Sequence, residues 1–167
     1  MKLDLFLVSA IMVVLIVLPF VLLPLLRNSD LKKLTKKFNE EEKKHNLNTQ
    51  LKENWNQNYI GLDPTEKKLL FVQRSEDDFI VEVIDLKLIN SCKAAFEEIS
   101  QKEGKSGNLL RRVNLEFTFK NSQVKKSINL FDYDLHFTQD MEVKHGTKWA
   151  DLISQQLSSQ SVLKQTA

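Results

Sequence analysis

The stretch NYIGLDPTEKKLLFVQR, residues 58–74, decides what kind of domain this chain builds. Two short apolar runs flank Asp63-Pro64-Thr65-Glu66, with Asp at the first and Pro at the second place of a type I turn. The reading is strand, turn, strand. The same rhythm continues on the C-terminal side. FIVEVIDL (79–86) reads as a third strand, reached through the charged turn SEDD, and LINSCKAAFEEIS (88–100) as a fourth strand in preference to a short helix at its alanines. QKEGKSGN (101–108) is a loop with both of its glycines inside it. LLRRVNLEFTFK (109–120) alternates, with Val113, Leu115, Phe117 and Phe119 on one face, and NSQ then turns into VKKSINLFDYDLHF (124–137), one or two further strands. Short strands joined by tight turns predict a small antiparallel β-barrel or sandwich.

The period changes again near the C-terminus. TKWADLISQQLSS (147–159) spaces Trp149, Leu152, Ile153 and Leu157 as one face of a helix, with Thr147 as N-cap after Gly146. Its expected job is to close the open end of the barrel with Trp149 inward. Residues 161–167 read as a flexible tail. The fold class expected from the whole is α+β, mainly β.

Upstream, LFLVSAIMVVLIVLPFVLLPLLRNSDLKKLTKKF (5–38) runs without a charge as far as Arg27 and then into lysines. Residues 5–26 make about 22 positions, roughly 33 Å of helix, against a hydrocarbon core of about 30 Å. A secretory signal has a shorter apolar core and small residues at its cleavage site. This run ends in LLPLLRNS, so the expectation is a retained transmembrane helix behind a tail of residues 1–4, with a proline kink from Pro19 and Pro24. Lys2 stands before the run, whereas Arg27, Lys32, Lys33, Lys36 and Lys37 follow it. That asymmetry predicts a single-pass protein of the cell membrane with its C-terminal domain in the cytoplasm. The same five basic residues are the candidate membrane-surface site, by contact with anionic lipid headgroups or simply by solvating the helix end. Residues 27–54 read as a basic and polar helical connector: Leu31, Leu34 and Phe38 share a face, the stripe fades after Phe38, and NLNTQLKENWNQN (46–58) reads as a linker. His45 is expected at the surface.

The body, residues 55–160, resembles the pleckstrin-homology-like fold. The likeness rests on a run of antiparallel strands followed by one helix that carries a tryptophan. More narrowly, YIGLDPTEKKLLFV, VIDLKLINSC and the late Trp149-Ala150-Asp151-Leu152-Ile153 resemble uncharacterised bacterial proteins with a membrane anchor and such a domain. The resemblance implies a binding module. Phosphoinositide specificity is not carried over, because the first hairpin loop holds only Glu66, Lys67 and Lys68.

Catalytic chemistry has little to start from. The net charge of +2 gives no support for nucleic-acid binding. One cysteine, Cys92, excludes an intrachain disulfide and a cysteine-based zinc site, and it reads as a packing residue. His45, His136 and His145 lack metal-ligand spacing, with His136 read as an outward strand residue. Asp132 and Asp134 are expected on one face of a strand, about 7 Å apart, a spacing that could serve a hydrolase or a cation and that a strand end facing water explains equally well. No phosphate loop or nucleophile motif is present, so neither cofactor nor metal is expected. The function expected is a non-enzymatic, membrane-anchored scaffold that recruits an unknown protein partner. The alternative is an accessory structural subunit of a larger membrane protein complex.

Overall fold

The computed structural model describes the backbone of residues 2–75, 78–100, 108–120, 125–135 and 141–165. Side chains are described over the same stretches apart from 2–7, 9–10, 19–29, 100, 108 and 159–165. One long helix, α1 (Lys2–Lys44), precedes seven strands: β1 (Leu51–Trp55), β2 (Asn58–Asp63), β3 (Lys68–Ser75), β4 (Asp78–Asp85), β5 (Ile89–Ser100), β6 (Asn108–Phe119) and β7 (Lys125–Asp132). A second helix, α2 (Glu142–Gln165), closes the order.

The hairpin of residues 58–74 folds as its turn chemistry dictates. Strands β2 and β3 pair antiparallel from Asn58↔Gln73 to Asp63↔Lys68. In the turn, Asp63 Oδ1 accepts from the amides of Thr65 and Glu66, each at 2.9 Å. Lys67 takes a positive φ of 57° to re-enter the ladder.

The strands form two antiparallel sheets, ordered β1-β2-β3-β4 and β5-β6-β7. They are not closed into a barrel, which corrects that part of the expected fold. Side chains replace the ladder hydrogen bonds that closure would need. Asn58 Nδ2 donates to the Leu130 carbonyl at 2.7 Å, and Gln73 Nε2 donates to the Asn129 carbonyl at 3.2 Å and to Asn58 Oδ1 at 2.8 Å. These buried amides from β2 and β3 thus satisfy carbonyls of β7. Between the sheets lies the main core, with Ile60, Leu69, Phe71 and Ile84 from one and Val113, Leu115, Phe117, Leu130 and Phe131 from the other.

Trp149 and Ile153 of α2 join this core, so the tryptophan does point inward. The helix starts five residues before the expected cap, at Glu142 after Met141 at φ 51°. Thr147 is therefore inside the helix, with its hydroxyl donating to the Val143 carbonyl at 2.9 Å. Gly146 is also helical, and a Cβ there would sit 2.8 Å from Val113 Cγ1. The close approach of α2 to β6 is what requires glycine.

The N-terminal half brings the larger corrections. Among the described residues no helix is long and apolar enough to cross a membrane. That overturns the transmembrane helix expected over residues 5–26, and with it the signal-anchor, the single-pass membrane location and the cytoplasmic orientation. Nor is the connector a free stalk. It belongs to the same helix, α1, which runs through both prolines as one element and then packs on the protein's own sheet. The linker expected over residues 46–58 holds an edge strand, β1, with Trp55 buried in the core.

Candidate functional site

Helix α1 carries the most distinctive surface of the molecule. The two central strands of the sheet β1-β2-β3-β4, β2 and β3, are buried on both faces. Leu69 and Phe71 point to the main core, while Leu70 and Val72 meet Leu34, Phe38 and Leu47 on the outer side, with Tyr59, Val81 and Val83 around them. Alternation along β3 thus feeds two cores, which is why its sequence is an unbroken LLFV rather than apolar-polar.

Phe38 is the keystone of this docking. It is fully buried and stacks on Tyr59 with ring centroids 4.0 Å apart. Its ring lies over Gly61, where a Cβ would be 2.6 Å from Phe38 Cζ and 3.1 Å from Thr49 Cβ. An ion pair between Asp30 and Arg74 fixes the upstream end.

The downstream end is fixed by a Schellman turn. Asn46 adopts φ 50°, its amide bonds the Lys43 carbonyl at 3.1 Å, and the Leu47 amide bonds the Glu42 carbonyl at 2.9 Å. Leu47 is thereby tucked beneath the helix. Glu42 then holds the exit strand, accepting from the Thr49 amide at 2.9 Å, the Thr49 hydroxyl at 2.5 Å and Lys52 Nζ at 2.9 Å. Burial works to raise the Glu42 carboxyl, but these bonds outweigh it and hold it below the ordinary carboxylate value. Asp63 adds a further tie, accepting from the Asn48 amide at 2.6 Å.

The expected basic residues divide into different environments. Arg27 lies outside the residues with described side chains. Lys37 bonds Glu41 at 2.9 Å, which raises its ammonium above the ordinary value. Glu41, buried, is held low first by that bond against the cost of its burial, and then by Lys44 at 3.1 Å. His45 is exposed, 3.6 Å from the same carboxylate. Lys36 stands 3.9 Å from Glu40 with both side chains mostly in water, an interaction of little energy. Lys32 and Lys33 are exposed and have no ion-pair partner among the described residues.

An open face of this half-helix carries Lys32, Lys36, Asn39, Glu40 and Lys43, with Leu31 and Thr35 at its margin. Farther toward the N-terminus, Val8 and every residue from 11 to 18 are apolar and 49–66% exposed.

The other candidates are absorbed by structure. Asp132 ends β7, so Asp134 sits in the following turn and the two do not share a strand face. Asp132 accepts from Arg112 Nε at 2.6 Å and from the Asp134 amide at 3.0 Å. Burial pushes its carboxyl up, but these two bonds win and hold it low. Burial drives the Cys92 thiol up to about 12, far from a reactive thiolate. His136 falls outside the described residues.

His145 of α2 stacks on Trp55 at 4.5 Å, with its Nδ1 3.4 Å from Glu53 Oε1. Glu53 also accepts from Lys148 Nζ at 2.8 Å and Trp149 Nε1 at 2.6 Å, and Glu142 accepts from Trp55 Nε1 at 2.7 Å. This network staples α2 to the edge strand β1. Among the described residues, no group of His, Cys, Asp and Glu side chains is arranged to hold a metal ion.

No family model, no curated protein and no solved structure matches the chain. The likeness to pleckstrin-homology-like domains therefore rests on the pattern of strands and phrases alone. Sequence reasoning placed the lysines but missed the docking of the helix beneath them. Two signals pointed to it: the unbroken LLFV of β3, which needs two apolar faces, and Gly61 in mid-strand, which marks a close approach.

Proposed function

We propose that this chain is a non-enzymatic interaction protein in which α1 is the assembly arm and the two-sheet body its rigid mount. The observation that carries the reading is the run of exposed apolar side chains at Val8 and residues 11–18, on a helix whose other half is fixed to the body by Phe38, Leu34 and the Asp30–Arg74 pair. Scattered apolar residues on a surface need no explanation, but a contiguous patch of this kind marks an interaction surface. The groups that catalysis would draw on support the same view, since Asp132 is bound to Arg112 and Cys92 is buried.

A second reading, an accessory structural subunit of a larger complex, has its own support. The exposed residues occupy eight consecutive positions and so face every side of the helix. A single neighbouring surface covers only one side, whereas an assembly surrounds all of them.

A photo-crosslinking residue at Ile16 of the full-length chain, activated in intact cells, tests the proposal. A discrete protein adduct is the expected result, and its stoichiometry after purification separates a recruited partner from a permanent complex. Absence of any protein adduct, together with flotation of the purified chain on lipid vesicles, would overturn it.

A further inference from the structure

Two open sheets leave their outer strands, β1, β4, β5 and β7, as edges, and three of these are closed off. Strand β1 is five residues long and is stapled to α2 through Glu53 and Trp55. Strand β5 shifts register against β6 at Ile89/Ser91 and again at Glu97/Glu98, and α2 lies against it, with the Ser154 hydroxyl donating to the Cys92 carbonyl at 3.2 Å. Strand β7 gives its Asn129 and Leu130 carbonyls to Gln73 and Asn58. Shortness, bulges and covering are the devices by which an edge avoids pairing with another chain. Strand β4 has none of them. It pairs with β3 without a shift from Lys68↔Asp85 to Ser75↔Asp78 and holds no Lys, Arg or Pro, and its mid-strand charge, Glu82, is matched by Lys126 at 2.5 Å.

The backbone bonds fix which groups this edge offers. The Leu86 amide bonds the Lys67 carbonyl at 2.8 Å, whereas the Arg74 amide turns away from β4 to the Gln57 carbonyl, also at 2.8 Å. Bonded and non-bonded pairs alternate along an antiparallel ladder, so Ile80, Glu82 and Ile84 bond β3, while Phe79, Val81 and Val83 aim their amides and carbonyls outward. The Phe79 amide is taken by Asp78 Oδ1 at 2.7 Å. Nothing among the described residues takes those of Val81 and Val83. Helix α1 lies over β2 and β3 and leaves Phe79, Val81 and Val83 only partly buried, and Ile80 on the other face is 46% exposed.

We infer that β4 pairs antiparallel with β4 of a second copy of this chain, joining two four-stranded sheets into one. Charge and register choose this occupant. Outward groups must oppose outward groups, and the two registers that then pair most of the strand centre on Val81 or on Glu82. Centring on Glu82 sets that carboxylate opposite its twin, and like charges directly opposite are destabilising. Centring on Val81 sets no two carboxylates of β4 opposite each other. Phe79 then packs on Val83 of the other copy and Val81 on its twin, which carries the apolar cluster beside α1 across the junction. The two Val81 residues exchange bonds and each Val83 amide donates to the Phe79 carbonyl opposite, so the orphan donors are satisfied. A strand that matches itself about one residue makes the self-complementary contact of a two-fold dimer. The pairing does not depend on the assembly arm.

Light scattering on the full-length chain over a range of concentrations tests the inference, together with hydrogen exchange read residue by residue. The expected mass is that of two chains, with the Val81 and Val83 amides slow to exchange in the dimer and fast on dilution. Val81→Pro removes a donor that bonds nothing in β3, and is expected to weaken the dimer at least about tenfold while the circular dichroism spectrum is kept. Where that variant loses the native spectrum, Val81→Lys takes its place, with the same loss expected. Ile99→Lys, an exposed apolar position on β5, is expected to leave the mass unchanged. A single-chain mass at every concentration, a dimer that survives in a folded Val81 variant, or Val81 and Val83 amides that exchange fast within the dimer overturns the inference. Loss of the dimer in Leu15→Ser, with the β4 edge intact, overturns it as well and assigns the association to the arm. A photo-crosslinker at Ile80 in intact cells is expected to give an adduct of two chains. An adduct with a different protein alone hands the edge to a foreign strand and overturns the pairing.

Discussion

Between Asp30 and Lys44, α1 turns Leu34, Phe38 and Glu41 onto the sheet and leaves Lys32, Lys36 and Lys43 in water. Over residues 11–18 the same helix leaves every side chain about half exposed. The backbone is helical in both halves. What differs is whether the apolar residues form one stripe. A stripe such as Leu34 and Phe38, at i and i+4, can be satisfied by one sheet face, and Leu70, Val72 and Tyr59 supply that face. A segment that is apolar on all sides cannot be satisfied by one face, so the body covers the first kind and leaves the second outside. Helicity is a local property, whereas docking is a match between two surfaces.

The largest test of this contrast is Phe38→Ala. Removing the fully buried ring should cost about 3–5 kcal/mol. Hydrogen exchange should speed up first in residues 30–47, before the β-sheets open. If exchange rises evenly over the whole chain, docked helix and body form one cooperative unit and the contrast is weaker than drawn. Gly61→Ala attacks the same joint from the sheet side. The added Cβ would lie 2.6 Å from Phe38 Cζ, so a loss of about 1–3 kcal/mol in a denaturant melt is expected. Phe38→Leu in the Gly61→Ala background should recover part of it.

Acid should loosen the joint through Asp63. Burial pushes this carboxyl up, yet the amides of Asn48, Glu66 and Thr65 prevail and hold it below the ordinary value. A carboxyl depressed in the folded state adds stability above its unfolded pKa and loses it as pH falls through the folded one. Thermal melts should therefore show less stability in acid than at neutral pH. Asp63→Asn should cost about 1–2 kcal/mol at neutral pH and flatten the acid dependence. The smallest stability effect belongs to the projecting half. Leu15→Ser, at a residue 66% exposed, should change stability by no more than about 0.5 kcal/mol while reducing the crosslinks formed from Ile16.

Much of the body was legible in the sequence because its signals are local. Asp63-Pro64-Thr65-Glu66 needed only turn chemistry, and Val113, Leu115 and Phe117 needed only alternation, since β6 buries one face. Both signals failed where burial depended on something distant. Strand β1 was read as linker because the asparagines of residues 46–58 suggest a loop, and its pairing with β2 and the Glu53 and Trp55 contacts to α2 reveal its place. The start of α2 was set five residues late because Gly146 reads as a helix breaker until Val113 is seen pressed against it. The lysines of the candidate site were visible from the start. Their division into a Glu41-paired flank and an open, solvated one was not, since it follows from which side of α1 meets the sheet.

The sequence by itself determined the helical N-terminal segment, the strands after β1, the turn at Asp63 and the position of Trp149, because each rests on residues within a few places of one another. Tertiary structure alone decided that the sheets stay separate, that α1 lies on the outer face of one of them, and that one side of the helix is left open. Those outcomes depend on contacts between residues far apart in the chain, such as Asn58 with Leu130 and Phe38 with Gly61, and no local pattern encodes the partner of a surface.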